Sequence, residues 1–239
     1  MPQDSKNRVP VAPQGRAAVD AFLGRLSAMP AVRTAGRRGR LIFAMDATAS
    51  REAAWDQACQ IQGEMFEATA GMGGLDVQLV YYRGFGEFRA TDWVSNSGAL
   101  VTPMSAVRCI AGKTQIARVL RHALEEAKRG RVNAIVYVGD ALEEEPDALG
   151  ALAGELGVRG IPVFVFQEGR DAGVESIYRQ IGRLSGGAWC RFDSSSADQL
   201  RDLLGAVAAY AAGGRKALAD YGTRRGDAVL QLTRQMGGG

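Results

Sequence analysis

The chain has 239 residues, 46% of them apolar and 23% charged, with a formal net charge of +3 at neutral pH. That composition describes an ordinary globular chain able to bury one substantial core; it offers no run of about 18 apolar residues to span a membrane and no apolar segment near the start for a signal peptide. The charge is uneven, with eight Lys/Arg against two Asp/Glu in residues 1–40, five against two in 213–239, and 16 against 22 between them. Basic ends of this kind attract anions, but no aromatic-interleaved basic patch accompanies them, so nucleic acid is not an expected partner.

Cys59, Cys109 and Cys190 are odd in number and far apart, which suits neither a disulfide framework nor a zinc site. A reducing, cytoplasmic setting with no membrane attachment is the expectation.

Residues 1–39 read as a basic leader, with a short helix allowed around AAVDAFLGRLSAM and a loop-like TAGRRGR. From 40 to 212, strand and helix patterns alternate, the mark of a mostly parallel α/β sheet covered on both faces. RLIFAM is a short apolar run expected to be a strand buried on both sides. Ala54, Ala58, Ile61 and Met65 then fall at helical spacing and predict one covering helix. DVQLVYY, RGFG and EFRA predict a hairpin, the one antiparallel element.

SNSGALVTPMSAVRCIAGK has no clear period and is expected to be irregular, before a helix with Ile116, Val119, Leu120, Ala123, Leu124 and Ala127 on one face. VNAIVYVGD repeats the opening pattern of an apolar run ending in Asp, here Asp140. A helix over PDALGALAGEL, a strand over IPVFVFQ, a helix over VESIYRQIGRLSGG, a strand over AWCRF and a helix over SADQLRDLLGAVAAYAA follow. Residues 213–239 form a basic tail with some helical character.

The chemistry gathers at strand ends. In a doubly wound sheet, ligands bind beyond the carboxyl ends of the strands where the winding reverses. Asp46 and Asp140 end two of the most apolar strands, Thr48 and Ser50 follow Asp46 at alternate positions, and Thr114 precedes a helix. Alternate residues of an extended turn point the same way, so these hydroxyls and carboxylates can converge as hard oxygen donors. Magnesium suits such a set, with manganese or calcium as other candidates, whereas thiolate and imidazole metals would need Cys or His.

The pattern Asp46-x-Thr48-x-Ser50, then Thr114, then Asp140, on this order of strands and helices, resembles the von Willebrand factor A (VWA) domain and its metal-ion-dependent adhesion site. The resemblance covers about residues 40 to 210. It implies a three-layer, Rossmann-like α/β fold around a mostly parallel six-stranded sheet with one antiparallel edge strand. It implies further that Thr48, Ser50 and Thr114 bind the cation directly, with the two Asp side chains acting directly or through water. A partner protein's Asp or Glu would complete the coordination, which makes the chain a recognition module and not an enzyme, within an ATPase-driven or chaperone-like assembly. Two positions depart from the family pattern. Thr48 stands where Ser is commoner, and Lys113 stands where Gly usually precedes the Thr; the Lys either weakens cation binding or contacts an acidic ligand.

Lys113, Trp93, Glu143 and Glu144 are the candidate partner-binding residues. Trp93 is the tryptophan expected to be most exposed, and the acidic run can also be a solvated helix start. The rival is a haloacid-dehalogenase-like, magnesium-dependent phosphohydrolase with Asp46 as nucleophile and Gly139, Asp140 and Glu144 as its metal loop, but Thr48 occupies the place of that mechanism's general acid. Gly112, Lys113 and Thr114 do not form a nucleotide loop, since Val107 stands where its first Gly is needed. His122, the single histidine, is expected to be a solvated surface residue.

Overall fold

The structure is a computed structural model and describes residues 21–22, 24–25, 38–69, 74–192 and 197–236. The leader helix expected near residues 17–29 therefore lies largely outside the described residues, apart from helical backbone at 21, 22, 24 and 25.

Six strands among the described residues, β1 (Gly39–Asp46), β2 (Leu75–Arg83), β3 (Glu87–Ala90), β4 (Ala134–Gly139), β5 (Val163–Glu168) and β6 (Ala188–Phe192), form one sheet in the order β3-β2-β1-β4-β5-β6. Only β3 runs antiparallel, as the second arm of the hairpin. β1, β4 and β5 are largely apolar because both faces are covered, whereas the edge strand β3 is polar and partly exposed. Along β1 the pleat sends Leu41, Phe43 and Met45 to one face and Ile42 and Ala44 to the other.

The first face packs α1 (Glu52–Ile61), α2 (Gly63–Thr69), α3 (Ser97–Ser105) and the long α7 (Ala197–Met236), through Trp55, Met65, Leu100 and Leu203 among others. The second packs α4 (Ile116–Arg129), α5 (Pro146–Val158) and α6 (Ala172–Leu184), through Leu120, Leu156 and Tyr178. Each fully buried Leu, Ile or Phe contributes about 1.5–3 kcal/mol of transfer free energy, so these two layers hold the sheet between them. Phe22 adds to the first face, meeting Phe164 and Phe166 edge-on at 6.0 and 5.6 Å.

Two expectations change. The single helix expected over the Ala54 to Met65 stripe is two, α1 and α2, with Gln62 as a turn between them. The stretch expected to be irregular contains α3, whose first turn is capped by Asn96 accepting from the Ala99 N–H at 2.9 Å. Burial of Leu100 and Met104 sustains it despite Pro103 within. The last helix breaks at Gly214 (φ 66°, ψ −156°), close to the expected end at 212, and the basic segment continues as a second helical stretch that turns back so that a Cβ added at Gly205 would lie against the Tyr221 hydroxyl. Ala217 and Leu218 are buried there, so packing continues past 213.

His122 is not a solvated residue. It is half-buried, with Nε2 2.9 Å from Gln78 Oε1 and its ring edge-on to Phe88 at 5.7 Å, tying α4 to the β2 and β3 hairpin. Burial holds its pKa below the ordinary histidine value, with Glu126 opposing and Arg129 adding to the shift. The unfolded chain therefore takes up a proton that the folded one resists. Stability from this site is complete above the ordinary histidine range near pH ~6.5 and declines as pH falls below it. Chemical denaturation at pH 7.5 and 5.5 should show a loss at the lower pH that is smaller in His122→Gln; an identical loss in both proteins would remove His122 as a cause.

Candidate metal centre

The winding reverses at β1, which has β2 on one side and β4 on the other. Asp46 is the last residue of β1, and Asp140 follows the last residue of β4, so both carboxylates stand at the carboxyl edge where the crevice of such a sheet opens. A cleft of about 220 Å³ lies there, lined by Asp46, Thr48, Ser50, Gly112, Thr114 and Glu143 among others. The elements that carry the donors are set by hydrogen bonds. Asp46 Oδ1 accepts from the Thr48 N–H at 2.7 Å, fixing the turn that enters the short 3-10 segment Ala49–Arg51. Thr48 is extended (φ −73°, ψ 165°), and Ser50 is exposed on the cleft wall.

Thr114 is held from across the cleft: its N–H donates to Glu143 Oε2 at 2.7 Å, and its Oγ1 accepts from the Glu143 N–H at 3.1 Å. Glu144 accepts from the N–H groups of Ile116 and Ala117, the latter at 2.9 Å, and so supplies the first turn of α4 with the carboxylate it lacks locally. The acidic run after β4 thus has an intramolecular task. It fastens the start of α4 to the loop after Asp140.

Asp46 is fully buried, and its pKa is raised because burial disfavours the charged form; hydrogen bonds from Thr48 oppose the shift, Asp140 adds to it and Arg51 opposes it. Arg51, also fully buried, pairs with Glu168 at the end of β5. That leaves Asp46 and Asp140 without an ion-pair partner among the described residues. Asp140 Oδ1 is buried and has no hydrogen-bond partner among them.

Beneath Asp46 runs a feature that residue spacing did not reveal. Tyr82 Oη donates to Asp46 Oδ2 at 3.2 Å and lies 2.6 Å from Tyr137 Oη, which lies 3.3 Å from Tyr178 Oη; Tyr178 donates to the Ala141 carbonyl at 2.6 Å. All three phenols have raised pKa values through burial. This chain of neutral hydroxyls orients the carboxylate and links it to the loop after Asp140. The one sequence signal was the presence of Tyr82 and Tyr137 in buried strands; Tyr178 lies on α6.

The donor chemistry fits a hard divalent cation. An orphaned carboxylate oxygen on Asp140, a buried carboxylate on Asp46 and the hydroxyl-bearing Thr48, Ser50 and Thr114 along the cleft match the oxygen-rich, partly hydrated coordination that magnesium takes. No group of three or more His, Cys, Asp or Glu able to hold a metal occurs among the described residues. Burial pushes the thiols of Cys59 and Cys109 up to about 11 and that of Cys190 to about 12, so none is a ready thiolate ligand.

Of the residues singled out for a partner, Lys113 is exposed between two cleft-lining residues. Trp93 is elsewhere. Its Nε1 donates to Glu126 Oε2 at 2.8 Å and its ring lies 3.8 Å beneath the guanidinium of Arg40, near the start of β1. At ~3.3 Å per residue that is about 20 Å of strand from Asp46, and the indole is half-buried, so it is not the exposed anchor expected.

No family model and no curated protein matches the chain. Solved structures do. A von Willebrand factor type A protein from Catenulispora acidiphila superposes with a TM-score of 0.59 at 13% identity, over 73% of this chain and 43% of that one. The SpRpn10 VWA domain gives 0.54 at 13% identity, over 70% of this chain and 94% of that domain. The chain has the von Willebrand factor A fold. Proximal thread matrix protein 1 from the mussel byssus, with a zinc-occupied MIDAS motif, gives 0.58 at 16% identity, over 76% of this chain and 48% of that one. The chain thus spans less than half the length of two of these VWA-fold proteins and nearly all of the third.

The burial of Asp46 sets the direction of a mutational test. Its contribution to stability is present at low pH and declines as pH rises above the ordinary carboxylate range, because the folded state holds the proton more tightly. In chelator at neutral pH, Asp46→Asn should therefore raise the thermal midpoint. The amide oxygen can accept from Thr48 and the amide nitrogen can donate to Tyr82. A fall in the midpoint would mean that the charge itself holds the turn together.

Proposed function

We propose that the chain is a protein-recognition module that holds a divalent cation, magnesium by preference, and binds an Asp or Glu side chain of a partner through it. The observation that carries this reading is the buried, unpartnered Oδ1 of Asp140, whose charge acts on the buried Asp46 at a cleft lined by Asp46, Thr48, Ser50 and Thr114. Thr48, Ser50 and Thr114 would hold the ion with their hydroxyls, and Asp46 and Asp140 directly or through water. The cation would supply positive charge for an incoming carboxylate, because two acids neutralise it without a surplus. The VWA fold supports a recognition role, and the zinc-occupied MIDAS of the mussel protein supports a metal-binding one. The residues of this chain orient the donors: Tyr82 and Thr48 hold Asp46, and Glu143 holds Thr114.

No helix among the described residues is long and apolar enough to cross a membrane. A cytoplasmic partner within a chaperone-like or ATPase-driven assembly completes the proposal.

The phosphohydrolase alternative meets an obstacle in Asp46, which is fully buried with both oxygens engaged, whereas a nucleophile must reach phosphorus. Turnover of an aryl phosphate that disappears in Asp46→Asn would reinstate it.

Thermal denaturation across a magnesium titration tests the metal. At about 100 times its Kd the ion should stabilise the native chain by about 2.7 kcal/mol. Asp140→Ala and Thr114→Ala should abolish that increment, and an increment unchanged in both variants would reject the site; parallel titrations with manganese and calcium rank the ions. Affinity capture with native chain and Asp46→Ala, each with and without chelator, tests recognition: partners retained equally in all four arms would reject the metal as the recognition device.

A further inference from the structure

Four large apolar side chains are exposed among the described residues, and two of them, Phe85 at 85% and Ile110 at 47%, are on segments joined beside the cleft, the Gly84 N–H donating to the Ile110 carbonyl at 3.4 Å. Phe85 is at the tip of the hairpin between β2 and β3, flanked by Gly84 and Gly86. The tip is fixed. Gly84 takes a positive φ of 59°, its carbonyl accepts from the Lys113 N–H at 3.1 Å, and a Cβ added at Gly112 would lie 2.0 Å from that carbonyl oxygen. Arg118 donates to the Gly86 carbonyl at 2.8 Å, and Arg83 to the Arg108 carbonyl at 2.8 Å. The loop from Ile110 to Lys113 is thus bonded to the hairpin on one side and lines the cleft with Ala111 and Gly112 on the other.

A phenylalanine displayed on a clamped turn contributes nothing to the core, and single exposed apolar residues need no explanation. This one has a neighbour and a charge pattern. On the hairpin and the 108–118 segment beside Phe85 and Ile110 are the cations Arg83, Arg89, Arg108, Lys113 and Arg118; the hairpin's acid, Glu87, is paired with Arg83 and Arg89, and Glu52 and Asp56 act on Cys109 from the α1 side. Arg108 and Lys113 are exposed. An apolar pair rimmed by positive charge, continuous with a cleft proposed to take a carboxylate, is complementary to a negatively charged segment with a bulky apolar side chain.

We propose that Phe85 and Ile110, with Arg108 and Lys113, form a recognition shelf that selects an acidic peptide segment carrying a large apolar residue next to the Asp or Glu that enters the cleft. The inference rests on the proposed metal-dependent recognition for the direction of that carboxylate, and on the exposed residues for everything else. The shelf reads the residues flanking the acid. The cleft reads the acid.

The test is selection of a displayed random dodecapeptide library on the full chain in magnesium, with enriched clones re-measured as synthetic peptides. Enriched peptides should be net negative and carry Leu, Ile, Met or Phe within about three residues of an acid, the reach of an extended segment across one rim. They should bind the double variant Phe85→Ser, Ile110→Ser about tenfold more weakly or worse, and Lys113→Glu likewise. Since Phe85 and Ile110 are exposed, the double variant should keep the native circular dichroism and the native magnesium increment. Enrichment without the apolar residue, equal binding to the double variant, or no enrichment at all overturns the shelf. A single-stranded oligonucleotide that binds native chain better than the double variant overturns the peptide assignment. Peptides that need the shelf but ignore chelator and Asp46→Ala uphold it and reject the metal reading. Peptides lost on chelation but indifferent to the double variant do the reverse.

Discussion

Removal of the Asp46 carboxylate from water is the constraint around which this end of the molecule is arranged. A buried carboxylate is costly unless hydrogen bonds and opposite charge offset it. The backbone of Thr48 and the phenol of Tyr82 supply the hydrogen bonds, and the buried cation Arg51, paired with Glu168, offsets the burial of Asp46 only in part. What remains is an unmet demand for positive charge at the mouth of a crevice, shared with Asp140 on the adjacent strand end. A core selected for stability alone would put an apolar residue or an uncharged amide there.

The two faces of the sheet serve this site differently. The face covered by α4, α5 and α6 houses the tyrosine chain, which runs from β2 through β4 to α6 and ends at the carbonyl of Ala141. The other face, covered by α1, α2, α3 and α7, follows directly from the loop that carries Thr48 and Ser50. Glu143 and Glu144 bind the loop after β4 to Thr114 and the first turn of α4, while Thr48 and Tyr82 hold Asp46.

Much of this was legible in the amino-acid order. Parallel strands buried on both faces appear as unbroken apolar runs, and the polar residue ending each run marks the edge where ligands collect, which is why Asp46 and Asp140 stood out. The helix over Ser97–Ser105 was not legible, because Gly, Thr, Val and Pro give it little intrinsic preference and tertiary burial of Leu100 and Met104 sustains it. The tyrosine chain depends on which strands are neighbours, a fact that spacing along one strand does not contain. His122 was misleading because polarity suggests exposure, while its ring has a buried partner on a distant strand, Gln78. Trp93 illustrates the converse, since an aromatic in a loop suggests an anchor, yet its ring is occupied by Arg40 and Glu126 at the far edge.

The contact between Gly84 and Gly112 has a mechanical meaning. Two backbones meeting without side chains between them, stitched by the Lys113 N–H, leave no soft layer to absorb a displacement. Tension applied to the hairpin by a tethered molecule would pass through that seam into the segment carrying Thr114. The turn and the wall of the cleft would therefore shift as one piece under such a load.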